Sequence, residues 1–176
     1  MHVLIGGVGY RWMGDHSFGL AVCDTLMQEP WPMGVEVADL GYGALYVSLD
    51  LLDRMPPLDR LVLISGRRRE REPGELVGTR WQPPRRPQDD ADVQARVTEA
   101  GAGVIDVDHL LAIAQRFGAL PGDVYCVELE PLTEHGPDLS PLAAARVPEA
   151  CRLVRELALA PLVSEPRSNQ ERPVWH

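Results

Sequence analysis

The apolar positions of this chain fall into short blocks separated by glycine, proline and charge. Residues 3–8, VLIGGV, are a compact run that ends in glycines, the pattern of a buried strand entering a turn. Over residues 17–28, Phe18, Leu20, Ala21, Leu26 and Met27 recur at spacings that a helix places on one side, and Pro30 and Pro32 stop it. Val35, Val37 and Leu40 then alternate with Glu36 and Asp39 as in a strand, and Gly41 and Gly43 break the run. Residues 45–52 return to helical spacing, and residues 61–65, LVLIS, form a third strand. This β-α-β-α-β order predicts a parallel sheet with right-handed crossovers.

Residues 67–87 change character: RRREREPGE and PPRRP make charge and proline dominant, so most of this segment is expected to be loop or hairpin. A short strand fits residues 76–81, and Pro83, Pro84 and Pro87 keep it from the centre of a sheet. No element is assigned between Pro87 and Val107. Helical spacing resumes over 107–116, a strand follows at 124–129, and 141–159 form a long amphipathic segment in which Pro148 is expected near the helix start. Beyond Pro161 no apolar period remains. The pattern predicts one α/β domain over residues 1–160, a three-layer sandwich with a mainly parallel sheet of about five strands and helices on both faces. Residues 161–176 are expected to form a mobile tail.

Composition narrows the function. With 176 residues, 45% hydrophobic and 24% charged, the chain suits a single globular core. No apolar run reaches the ~18–20 residues needed to span a bilayer, and no basic region precedes the first apolar run, so a soluble cytoplasmic protein is expected. A net charge of −9 argues against nucleic-acid or anionic-membrane partners. All seventeen basic residues are arginine, which reads as base composition; the run Arg67 to Arg71 reads as a solvated face, or as one that steers an acidic partner peptide. Cys23, Cys126 and Cys151 lie far apart in apolar segments without a CxxC pair, as expected for buried free thiols.

Gly7 and Gly9 after the first strand invite a dinucleotide reading, but Trp12 stands where the third glycine of GxGxxG belongs and would block the phosphate. The longer segment GGVGYRWMGDHSFGLAV carries more, with Gly9, Tyr10, Asp15, His16 and Gly19 in a turn, acidic-pair and helix-opening arrangement. ADLGYGALYVSLDLLD adds Asp39, Gly43 and Leu51-Leu52, and LPGDVYCVELEPLTEHGPDLSPLAAARVPEA adds a last strand, a Glu-Pro turn, Leu-Ser-Pro and a closing helix. In this order the three segments resemble the maturation endopeptidases of nickel-iron hydrogenases, across most of residues 3–160.

That resemblance implies a partner, the nickel-iron hydrogenase large-subunit precursor, whose C-terminal extension such endopeptidases remove after reading nickel carried by the precursor; the chain would need no cofactor of its own. It also implies three metal-contacting positions. The first falls on His16, with Asp15 just before it, and Asp39 closes the second strand nearby. The second falls on Ser65, a neutral hydroxyl, and the third near Gly103, which has no side chain; Tyr10 replaces the turn asparagine. Two consequences are open: a silent homologue that binds the precursor or a maturation factor, or a rebuilt site in which His16, Asp39, Asp106, Asp108 and His109 converge at the sheet edge. Each residue also has a structural reading: Asp15 as a helix cap, Asp39 as a brace for its turn, His109 as a surface residue and His135 as loop.

Overall fold

The computed structural model describes residues 1–84 and 89–162. Its strands are β1 (Val3–Val8), β2 (Val35–Asp39), β3 (Arg60–Gly66), β4 (Leu76–Arg80) and β5 (Asp123–Leu129). The helices are α1 (Phe18–Leu26), α2 (Ala44–Asp53), α3 (Asp90–Gly101), α4 (Val107–Arg116) and α5 (Pro141–Leu159), with a 3-10 turn at Gly14–Ser17. The sheet runs β2-β1-β3-β5-β4; the first four strands are parallel, and β4 is an antiparallel edge on β5. The expected three-layer α/β sandwich and five-stranded sheet are present.

Alternation along the strands builds the two faces. Leu4, Val8, Leu61, Leu63, Val124 and Cys126 pack against α2, α3 and α4. Val3, Ile5, Val62, Ile64, Val127 and Leu129 pack against α1 and α5. Helix α1 sits in direct backbone contact with the sheet: a Cβ on Gly7 would lie 2.5 Å from the Gly19 carbonyl oxygen, and one on Gly19 would lie 2.1 Å from that of Ile64. Only paired glycines allow this approach, and it fixes the Gly14–Ser17 turn over the ends of β1 and β3.

Helix α3 has no counterpart in the sequence reading, because it buries only Val93 and Ala100 and leaves no apolar stripe to read. It begins on the Asp89 cap, whose carboxylate accepts from Ala91 N at 3.3 Å. Pro148 corrects a second expectation. Ser140 caps α5 and Pro141 opens it, so Pro148 lies inside the helix. Burial of Ala143, Ala150, Val154 and Ala158 against the sheet offsets the hydrogen bond that an interior proline removes, a loss of about 3 kcal/mol. The expected tail at 161–176 lies, from residue 163 onward, outside the described residues, as does the 85–88 part of the proline-rich segment. No helix among the described residues is long and apolar enough to cross a membrane.

At the opposite end of the sheet Arg60 is fully buried. It donates to Asp123 at 2.6 and 2.8 Å and to the carbonyls of Leu157, Ala160 and Pro161, closing the C-terminus of α5. Removing Asp123 would leave an uncompensated buried charge, so Asp123→Ala is expected to lower stability by about 3–5 kcal/mol in urea unfolding. The three cysteines are free and buried, and burial pushes the Cys23 and Cys126 thiols up to about 12. Iodoacetamide at neutral pH should leave both unmodified in the folded chain and alkylate both in urea, as read by mass.

Candidate functional site at the switch point of the sheet

Strand order reverses between β1 and β3: β2 follows on one side, β5 and β4 on the other. Open parallel sheets leave a crevice at such a point, outside the C-terminal ends of the strands. Here it is bordered by the turn after β1, by the segment after β3, by the 103–106 loop leading into α4, and by the 130–140 loop after β5.

Asp15 lies on the turn and is completely buried. Its carboxylate accepts from Ser140 N (2.8 Å), Ser140 Oγ (2.9 Å), Leu132 N (2.8 Å) and Thr133 N (3.2 Å). Both oxygens are thus occupied in tying the turn to the 130–140 loop and to the α5 cap. His16 is partly exposed; its Nδ1 is 3.2 Å from the Gly66 carbonyl oxygen and its Nε2 is 3.6 Å from Glu134, which also pairs with Arg68. The Arg68 charge holds the Glu134 carboxyl below its usual range. Asp39 accepts from Gly41 N at 2.8 Å, the turn brace, and from Arg11 at 2.8 Å. Arg11 also donates to Asp24, and the hydrogen bonds it gives to Asp24 and Asp39 raise its pKa.

Ser65 is 4% exposed and its Oγ has no hydrogen-bond partner. It follows Leu63 on the α4 side of the sheet, in register with Val8 and Glu128. The backbone of the His16 turn lies over the other side, where a Cβ on Gly66 would meet the Asp15 carbonyl oxygen at 2.0 Å. Gly103 has φ +94 and open space where a Cβ would stand. Its carbonyl accepts from the Tyr10 hydroxyl at 3.2 Å, and that hydroxyl accepts from Ile105 N at 2.7 Å. Two of the departures, at positions 10 and 103, are therefore in contact, with a phenol bridging the loop.

His109 corrects the expectation of a surface residue. It is 9% exposed and turned toward α3, with Nε2 2.6 Å from Glu99 and Nδ1 3.1 Å from Asp106. It does not reach back to the crevice. Asp106 caps α4 by accepting from Asp108 N (2.8 Å) and His109 N (3.2 Å). His135 is an exposed loop residue, as expected.

The run Arg67 to Arg71 also corrects its reading. Arg68 points outward, 61% exposed, while Arg67, Arg69 and Arg71 turn in against carboxylates. Arg67 pairs with Asp106 and, at 2.9 Å, with Asp108; Arg69 grips Asp108 at 2.7 and 2.8 Å and Glu128 at 2.6 Å; Arg71 reaches Glu128 at 3.3 Å. Burial pushes the Asp108 carboxyl up, but the hydrogen bonds and charges of Arg69 and Arg67 together outweigh it and the net direction is down. The signal was present in the sequence as three period-two tracks, Arg67-x-Arg69-x-Arg71, Asp106-x-Asp108 and Glu128-x-Glu130. What was not readable is that they face one another.

A metal ion read here would need donors of the right charge and freedom. Asp15 and Asp39 have their oxygens engaged, Ser65 is neutral, Gly103 offers nothing, and Asp106 and Asp108 are held by guanidinium groups. Among the described residues no three His, Cys, Asp or Glu side chains come together as a metal-holding group. The donor set does not fit a nickel ion.

No protein-family model and no curated protein sequence matches the chain. Solved structures do. A hydrogenase 2 maturation peptidase from a Thaumarchaeota archaeon superposes with a TM-score of 0.61 at 27% identity, covering 89% of this chain and 97% of its own. The hydrogenase maturating endopeptidase HybD of E. coli gives 0.62 at 22% identity over 88% and 90%. The [NiFe] hydrogenase maturation protease HybD of Thermococcus kodakarensis gives 0.61 at 19% over 90% and 99%. This protein therefore shares its fold, over nearly whole chains, with hydrogenase maturation proteases, and the sequence segments that resemble that family meet at the switch-point crevice.

Proposed function

We propose that this protein acts in nickel-iron hydrogenase maturation by receiving the C-terminal region of a large-subunit precursor at the switch-point crevice, and that it holds the precursor without cutting it. One observation carries the second half: the three positions at which the family reads metal hold His16, Ser65 and Gly103, and every nearby carboxylate is already bonded to a donor or a guanidinium. Nickel carried by the precursor therefore meets one imidazole and no free carboxylate. Loss of the ligands leaves the fold and its crevice intact, so a binding role survives.

A second reading is that the chain removes the C-terminal extension. It is favoured by His16, whose Nδ1 lies against the Gly66 carbonyl and whose Nε2 remains at the partly exposed side, where it could contact a metal brought by the substrate.

Incubation with nickel-loaded and nickel-free precursor separates the two. Holding predicts a stable complex with both forms, affinities within about threefold, a difference under ~1 kcal/mol, and no change in precursor mass. Loss of the extension, abolished by His16→Ala, would establish the second reading, and absence of any complex would remove the partner. Asp15 supplies an independent check. As a loop anchor its replacement by Asn, which keeps one acceptor and places an N–H against other donors, should cost about 2–4 kcal/mol in urea unfolding in the absence of any metal. A ligand role alone would leave metal-free stability unchanged.

A further inference from the structure

The segment that joins β3 to β4 forms a strap along one border of the crevice, against the start of α4 and the end of β5. Residues 67–73, RRREREP, contain no apolar anchor apart from an exposed proline. Two backbone bonds fix its ends, Arg67 N to Leu129 O at 2.9 Å and Gly74 N to Glu130 O at 2.8 Å. Between them it is held by charge: the three inward guanidinium groups, and Arg69 N donating to Glu130 at 2.7 Å. The backbone bends at Glu70, φ +60, and on either side of that bend Arg67, Arg69 and Arg71 bring their guanidinium groups to the same wall of carboxylates.

The wall belongs to other elements. Asp106 and Asp108 come from the start of α4, and Glu128 and Glu130 from the end of β5. Asp106, Glu128 and Glu130 are each more than nine-tenths buried. Asp106, Asp108 and Glu128 pair with the three guanidinium groups and Glu130 with the Arg69 backbone N–H, so the wall keeps an excess of carboxylate, while buried Arg67 Nε, Arg71 Nη1 and the neighbouring Ser65 Oγ have no hydrogen-bond partner. The strap therefore fits its wall incompletely. Its arginine side chains remain 24–35% exposed, so salt and competing cations can reach the pairs.

We propose that this acidic wall is a docking surface for an arginine-bearing segment of a partner protein, and that the chain's own strap occupies it until the partner's segment displaces it. The strap is an internal ligand whose charge specifies the external one. This deepens the proposed function by naming the chemistry of the segment received, and it rests on that reading only for the partner's identity. The Asp108 shift agrees: a carboxyl held below its ordinary range contributes stability that is present above the unfolded value and lost as pH falls through the folded one, so acid should also loosen the strap.

Hydrogen exchange on the full chain tests this without any precursor. The probe is a blocked Gly-Arg-Ala-Arg-Ala-Arg-Gly peptide, with a glutamate-for-arginine peptide as control. Exchange at residues 67–72 should rise in high salt and with the arginine peptide, and stay unchanged with the control. Arg69→Gln, which weakens the internal competitor, should bind the arginine peptide on the order of tenfold more tightly than the parent chain. Arg68→Gln, whose guanidinium faces Glu134 instead, should bind like the parent. If circular dichroism shows Arg69→Gln unfolded, Arg71→Gln, which gives up a single contact to Glu128, takes its place. An arginine peptide that leaves strap exchange unaltered, or that binds the folded glutamine variant no more tightly, overturns the proposal. Peptide binding with these signatures alongside failure to bind a hydrogenase precursor would keep the wall and displace the partner.

Discussion

The geometry of the crevice depends on one buried carboxylate. Asp15 sits at the end of the turn that the Gly7–Gly19 contact presses onto β1 and β3, and it collects donors from the loop after β5 and from the cap of α5. A carboxylate can be fully desolvated only where hydrogen bonds replace its water, and here four do so. Because those donors come from a segment more than a hundred residues away, the bond set brings two borders of the crevice together. The same saturation removes Asp15 from metal chemistry. A residue that the resemblance places beside a ligand position is, in this fold, part of the frame.

Around that frame the departures from the family pattern are coupled. Tyr10 would leave its hydroxyl without partners unless the 103–105 backbone came close, and Gly103, at φ +94, supplies a backbone conformation that side-chain-bearing residues rarely adopt. Ser65, where the resemblance implies a carboxylate, sits in a row whose next member is Glu128, and Glu128 is neutralised by Arg69 and Arg71. Cationic charge at this edge thus comes from covalently attached arginines. An edge built to coordinate a metal ion leaves carboxylates unpaired; this one pairs them with guanidinium groups.

How much of this was legible follows from the physics of each signal. Strands β1, β3 and β5 and helices α1, α4 and α5 read directly because burial on one or both faces writes a period into the sequence. Helix α3 left no such trace, since two buried residues do not make a stripe. Pro148 misled because a local rule was outweighed by the face that α5 buries. The strap was misread for the same reason that long arginine runs are usually solvated: only tertiary structure reveals carboxylates opposite them. For the site, chain order identified the turn and the ligand-equivalent positions, and spacing could not tell a saturated carboxylate from a free one.

The strap also bears on why the chain keeps a crevice at all. If the metal-reading positions had simply decayed, their neighbourhood would be expected to fill with apolar side chains, which replace buried ion pairs at little cost and often with a gain in stability. Instead the edge carries Asp106, Asp108, Glu128 and Glu130, arranged on two elements and matched by three arginines from a third. Arginine–carboxylate pairs of this kind cost desolvation and side-chain entropy, and in a half-exposed setting each returns little. What they provide is orientation and exchangeability: a charged peptide can be bound along a fixed wall and replaced by another of the same charge, which an apolar plug could not permit. A costly network of this kind beside the crevice is therefore better explained by recognition of a partner segment than by repair of a lost site.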